Sequence, residues 1–253
     1  MTATPPPADP ESALAGYPVT PPPLRRPVTF DQCWRDVTFL HWPVRPEGVR
    51  ALYPPGTRPD VFADGMTYVG FVPFAMDSTK VGSRVAVPYF GRFLETNVRL
   101  YSIDGAGRHG VLFRSLETAR LAVVPAVRLG MGVPYTWSRM RMQRQGDRIT
   151  YHCVRRWPQR GLRSDLMVTV GAAVEPTPLE VWLTARWGAH TRKAGRTWWV
   201  PNEHDPWPLR AAEVIDFSDE LVDAAGVRRC GDRLRALYSP AMRNRFGRPC
   251  VVR

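Results

Sequence analysis

The sequence predicts one mainly β, barrel-like domain with short flanking helices, and three observations carry that prediction. Several segments alternate between two residue chemistries with a period of two, which is the mark of a strand. In residues 93–101, Thr96, Val98 and Leu100 share one face, while Glu95, Asn97, Arg99 and Tyr101 share the other. Turn signals separate such segments at short intervals, as in Asp104-Gly105 with Gly107 and in Gln145-Gly146-Asp147-Arg148. Finally, 253 residues with a hydrophobic fraction of 44% are enough to fill a single large β domain, and no internal repeat divides them.

The elements follow in order. Residues 1 to about 27 hold Pro5-Pro6-Pro7 and Pro21-Pro22-Pro23 and read as a disordered, polyproline-like tail ahead of a domain over 28–253. Residues 40–42 close a first strand at Pro43. Pro46 then opens a short helix over 47–53, stopped by Pro54-Pro55-Gly56. Residues 67–75, rich in β-branched and aromatic side chains, read as a buried strand. The strand over 95–102 and its hairpin partner over 111–116 come next. Residues 117–129 look helical, with Pro125 as a kink. Residues 137–144 and 149–157 form a second hairpin, and 166–174 and 198–200 are further strands. Ser218 caps a helix over 219–225 that ends at Gly226.

Composition narrows the function classes. No stretch approaches the roughly 20 apolar residues of a membrane span, so no membrane partner is expected. The N-terminus lacks a basic-then-apolar signal pattern, and the four cysteines form no C-x-x-C pair, so the expectation is a cytoplasmic protein with reduced thiols. The five histidines show no metal-binding spacing, and Gly130-Met131-Gly132 lacks the third glycine of a dinucleotide loop, so no cofactor or metal is expected. The formal charge is +12, and every basic residue except Lys80 and Lys193 is an arginine. The basic runs at 139–163 and 228–253 read either as phosphate-attracting patches or as solvated surface. No helix-turn-helix, zinc-finger or RNP signature accompanies them, so no specific nucleic-acid partner is expected. Assembly into a homo-oligomer is left open.

The polar strand face raises the central question. If Glu95, Asn97 and Arg99 face water, this is an ordinary half-buried strand. If they face inward, a carboxylate, an amide and a guanidinium converge where a small polar molecule can bind.

Six segments in order resemble the YqjF-like (DUF2071) family of bacterial proteins. They are Phe39-Leu40-His41-Trp42-Pro43-Val44, Val69-Gly70-Phe71-Val72-Pro73-Phe74, Glu95-Thr96-Asn97-Val98-Arg99, residues 110–116, Ala126-Val127-Arg128 with Pro134-Tyr135, and His204-Asp205-Pro206-Trp207-Pro208-Leu209. The family is similar to the acetoacetate decarboxylase-like superfamily. That resemblance implies a cone-shaped β-barrel around a cavity, in which a lysine forms a Schiff base with the substrate carbonyl. It places Glu95 at the cavity glutamate and puts His41 near the arginine that receives the substrate carboxylate. It aligns Gly132-Val133-Pro134-Tyr135 with the lysine segment, so Tyr135 stands where the nucleophile would be. Lys80, in an expected loop, and Lys193, in an Arg-rich turn, are poor substitutes.

The expected ligand is therefore a carbonyl- or carboxylate-bearing metabolite, turned over by acid–base catalysis without an imine, as in an isomerase, dehydratase or cyclase. Glu95, Tyr135 and His41 are the candidate catalytic residues, and Arg99, Asn97 and Arg128 the candidate ligand-binding ones. Each has a structural alternative. Glu95 and Arg99 can form a buried ion pair, Tyr135 can merely fill the lysine's space, His41 and His204 can be packed histidines, and Arg128 can cap a helix. A non-catalytic barrel that binds a small apolar or acidic molecule is the competing function.

Overall fold

The computed structural model describes residues 12–82, 85–86 and 91–253. Its strands are β1 (Phe30–Val44), β2 (Thr57–Pro59), β3 (Thr67–Val81), β4 (Val85–Ala86), β5 (Phe93–Asp104), β6 (His109–Thr118), β7 (Tyr135–Gln145), β8 (Arg148–Trp157), β9 (Arg163–Ala173), β10 (Gly188–Lys193), β11 (Arg196–Glu203), β12 (Arg210–Asp219), β13 (Ala236–Phe246) and β14 (Cys250–Val251). The helices are α1 (Pro46–Val49), α2 (Val123–Met131), α3 (Pro178–Thr184) and α4 (Leu221–Ala224).

The strands join one sheet that closes on itself and forks. Five strands, in the order β13-β1-β3-β5-β6, form a shared wall. Beyond β6 the pairing divides. Leu116–Thr118 runs parallel to β7, whereas Val111 and Leu112 run parallel to β10. Beyond β13 it divides again, with Ala236–Tyr238 on β12 and Arg245–Phe246 on β11. One ring therefore closes through β7-β8-β9-β12 and a second through β10-β11. Closure leaves the shared strands without free edges and gives each of them two enclosed faces.

Chemistry separates the rings. The first is packed solid by Leu40, Phe71, Val98, Leu100, Ile149, Leu166, Val168 and their neighbours. In β5, Val98 and Leu100 point into this core, so the alternate face points into the second ring. This answers the question the sequence posed: both faces of residues 95–101 are buried.

Several expectations change. The predicted tail is not free over its described part. The Tyr17 hydroxyl donates to the Ala185 carbonyl at 2.6 Å, and Leu24 and Val28 are buried, because this proline-rich chain brings its few apolar side chains onto the barrel; residues 1–11 lie outside the described part. The predicted helix over 117–129 begins only at Val123, because Glu117 and Thr118 are held in the ladder to β7. Pro125 then falls in the first turn, where its missing N–H goes unused, and it is not a kink. The helix over 219–225 shortens to α4, where the Asp219 carboxylate, not Ser218, accepts from the Leu221 and Val222 N–H groups. Lys80 lies within β3. No helix among the described residues is long and apolar enough to cross a membrane.

Candidate functional site

The second ring is hollow. Its cavity has a volume of about 710 Å³ and lies between β5, β6, β10, β11 and one face of α2. Ala122, Val123, Ala126 and Val127 of the α2 segment line it opposite the shared wall. Gly132 ends that helix in the left-handed region at φ 70°, a turn that suits glycine. The chain then enters β7 with Tyr135 as its first residue.

Glu95, Asn97, Arg99 and Tyr135 all line this cavity. The Tyr135 hydroxyl donates to the Glu95 carboxylate at 2.7 Å, and both side chains are buried. Burial pushes the Glu95 carboxyl up to about 8, and the tyrosine's hydrogen bond offsets only part of that rise. The Tyr135 phenol is pushed well above its ordinary value by burial and by Glu95. The result is a carboxyl group that is mostly protonated at neutral pH yet close to its midpoint, a useful state for donating or accepting a proton.

The Glu95–Arg99 ion pair weighed from sequence does not form. Their Cα atoms are four residues apart, about 13 Å of strand. The Arg99 guanidinium instead lies between two rings, 5.6 Å from the Phe39 ring centre and 5.7 Å from that of Tyr101. No carboxylate among the described residues lies within ion-pair distance of it, and its Nε is buried without a hydrogen-bond partner. The Asn97 Oδ1 is buried and unpaired as well.

A second guanidinium, which sequence reasoning missed, faces the same cavity. Arg186 bonds to Asp60, donates through Nε to the Trp182 carbonyl at 2.8 Å, and sits 4.6 Å from the Tyr101 ring centre. Burial raises the Asp60 carboxyl, but Arg186 and His109 more than offset this and hold it below its ordinary value. With Nε and Nη1 both anchored, Arg186 leaves its Nη2 buried and unpaired. Nothing in local periodicity marks this residue. It joins the site only because β10 crosses to β6.

His41 and Arg128 are not brought to the cavity wall. His41 stands behind Arg99, with its Nε2 2.6 Å from the Tyr101 hydroxyl. Burial, Arg99 and Arg186 push its pKa well down, so it is a neutral packed histidine. Arg128 donates to the Tyr135 carbonyl at 3.1 Å and lies over Trp157, bracing the end of α2. His204, expected to be packed, is buried with Nδ1 donating to the Asp205 carbonyl at 2.7 Å, but it does line the cavity. Neither lysine reaches the wall, and Lys193 donates from the surface to the Gly130 carbonyl.

Gly70 sits between His41 and Arg99 in the ladder. A Cβ there would lie 3.2 Å from both side chains. Gly70→Ala is expected to cost about 1–3 kcal/mol by overpacking and to weaken binding of carboxylates by displacing Arg99. Urea denaturation and titration of one acid into both proteins check the two effects.

The same strand arrangement recurs among solved structures. It is shared with the enduracididine biosynthesis enzyme MppR in complex with pyruvate, at a TM-score of 0.63 and 14% identity, covering 90% of this chain and 92% of that one. It is shared with acetoacetate decarboxylase of Legionella pneumophila at 0.62 and 11%, covering 100% and 98%. An acetoacetate decarboxylase-like enzyme of Sphingomonas wittichii RW1 gives 0.60 and 15%, covering 92% and 96%. The fold is therefore acetoacetate decarboxylase-like, and identities this low speak for the fold alone. Residues 31–243 match the DUF2071 family of uncharacterized conserved proteins, and the chain belongs to that family. The uncharacterized protein YqjF of Bacillus subtilis is 28% identical over 198 residues, which is 78% of this chain and 81% of that protein.

Proposed function

We propose that this protein is a small-molecule enzyme that performs acid–base chemistry on a carboxylate-bearing metabolite without forming a Schiff base. The observation that carries this reading is the buried Glu95–Tyr135 pair inside a cavity whose wall includes no lysine among its described residues. With a pKa of about 8, Glu95 can protonate an enolate or carbonyl oxygen and can take a proton from an adjacent carbon. Tyr135 holds the carboxyl in place and steadies its ionised form. Arg99 and Arg186 line the cavity, each keeps a buried N–H without a protein partner, and these two guanidiniums are the groups suited to receive the ligand's carboxylate. MppR was solved with pyruvate bound, so small keto acids are the first probes to use.

The expected result is exchange of carbon-bound protons of a keto acid in deuterated buffer, followed by NMR, and its loss in Glu95→Gln. Borohydride treatment with the same acid should leave the mass of the protein unchanged. A covalent adduct on Lys80 or Lys193 would overturn the mechanism. The mostly apolar wall favours a second reading, a non-catalytic ligand-binding barrel. Saturable binding with no proton exchange for any acid bound would favour it.

A further inference from the structure

We infer that the cavity's ligand is an elongated amphiphilic acid, with its carboxylate at Arg99 and Arg186 and an apolar tail running along β5 toward Phe93. The inference rests on the reading that this cavity is the ligand site, and it names the substrate class. Size is the first argument. About 710 Å³ falls in the upper half of the range of roughly 300–1,000 Å³ that holds drug-sized ligands. A three- or four-carbon keto acid would leave most of that space unfilled.

Distribution of polarity is the second. Three residues that line this cavity each carry a buried polar atom without a protein partner, the Arg99 Nε, the Arg186 Nη2 and the Asn97 Oδ1. Arg99 and Arg186 gather around one ring, that of Tyr101. Arg99 is a buried charge without a counter-ion among the described residues, and Arg186, already paired with Asp60, keeps one further N–H unpaired, so the site calls for an anion. Going the other way along β5, the lining turns apolar. Phe93 pairs with Met76, which pairs with Trp34, and all three line the cavity with Leu116 and Val127. From the Arg99 rung to the Phe93 rung is about 20 Å of strand.

Position is the third argument. The Arg99 rung lies about 13 Å along β5 from the Glu95 rung. A ligand whose carboxylate is held there meets the Glu95–Tyr135 pair only if its chain is longer than that of a short keto acid.

The test is calorimetric titration of the full chain with saturated straight-chain acids from four to fourteen carbons, below their micelle concentrations. The matched primary alcohols, pyruvate and acetoacetate are run alongside. One-to-one binding is expected to tighten about fourfold per added methylene, from about 0.8 kcal/mol per buried CH₂, until the cavity is full. Acids should bind at least tenfold tighter than their alcohols. Arg99→Met, checked for folding by circular dichroism, should erase that preference but keep the dependence on chain length. Short keto acids binding as tightly as long acids would overturn the inference and leave the proposed chemistry standing. Long acids that bind with no preference over alcohols would overturn the assignment of the head group. No binding by any acid would overturn both the inference and the reading beneath it. If Arg99→Met fails to fold, the chain-length slope and the acid–alcohol ratio of the unmodified protein still decide.

Discussion

Glu95→Gln is expected to remove a large pH dependence from the stability of this protein and to abolish proton exchange in the same variant. The carboxyl is held near 8 in the folded chain and titrates near 4.5 when unfolded. Between those values the folded state keeps a proton that the unfolded state has released. Stability from this group is therefore fully present below about 4.5 and is lost as pH rises through 8. By pH 9 the loss is on the order of 5 kcal/mol, or a Tm lower by on the order of 10 °C for a chain of this size. Glutamine is neutral throughout and still accepts the Tyr135 hydroxyl. The variant should match the parent near pH 5 and exceed it in stability at pH 9. His41, held neutral by burial and by the two arginines, gives an opposite slope at acid pH, but it does so in both proteins and cancels in the comparison. Parallel Tm profiles from pH 5 to 9 would show that Glu95 is ionised and solvated. A loss of stability in the variant at every pH would point to a buried ion pair, which the geometry around Arg99 does not contain.

The strand carrying Glu95 was legible because a period of two survives any tertiary context. Which face was internal was not legible, because the answer is both. That follows from the fork at β6 and β13, which depends on pairings as distant in sequence as Val111 with Ala189 and Asn202 with Phe246. The resemblance placed Glu95 and Tyr135 separately, and the fold supplies the hydrogen bond between them. Arg186 carried no signal, since its neighbours Ala185 and Trp187 define no period that aims it anywhere. Helix α3 did carry one: Thr177-Pro178-Leu179-Glu180 is a capping box with proline in the first turn. The apolar run at 121–127 pulled the helix boundary back over Glu117, hiding a buried ion pair. In the N-terminal segment, proline content spoke for extended backbone and said nothing of where Tyr17 and Leu24 would pack.

That ion pair sets the second large effect. Arg155 donates through Nε to both Glu117 oxygens, at 3.2 and 3.1 Å, and again through Nη2, while the Ser138 hydroxyl donates at 2.6 Å. The side chains are 4% and 0% exposed. Glu117→Leu leaves Arg155 buried with only Gln159 as a polar partner, and is expected to cost about 3–5 kcal/mol. Arg155→Met strands the carboxylate and should cost a similar amount. The double variant should recover much of either loss, because no charge then remains in the dry interior. A urea-denaturation cycle measures the coupling, and costs that simply add would mean that water reaches the pair. Function is tied to the same place. Glu117 pairs with Thr136 one rung from the Leu116–Tyr135 pair, so the bridge fixes the register that presents Tyr135 to Glu95. Each single variant should therefore weaken ligand binding as well as the fold. The double variant should restore both together if packing alone sets that register, since the apolar replacements fill the space the bridge held. Restored stability with binding still lost would mean that the bridge aims Tyr135 through its hydrogen bonds to Ser138, and that the cavity depends on a polar contact made in the neighbouring ring.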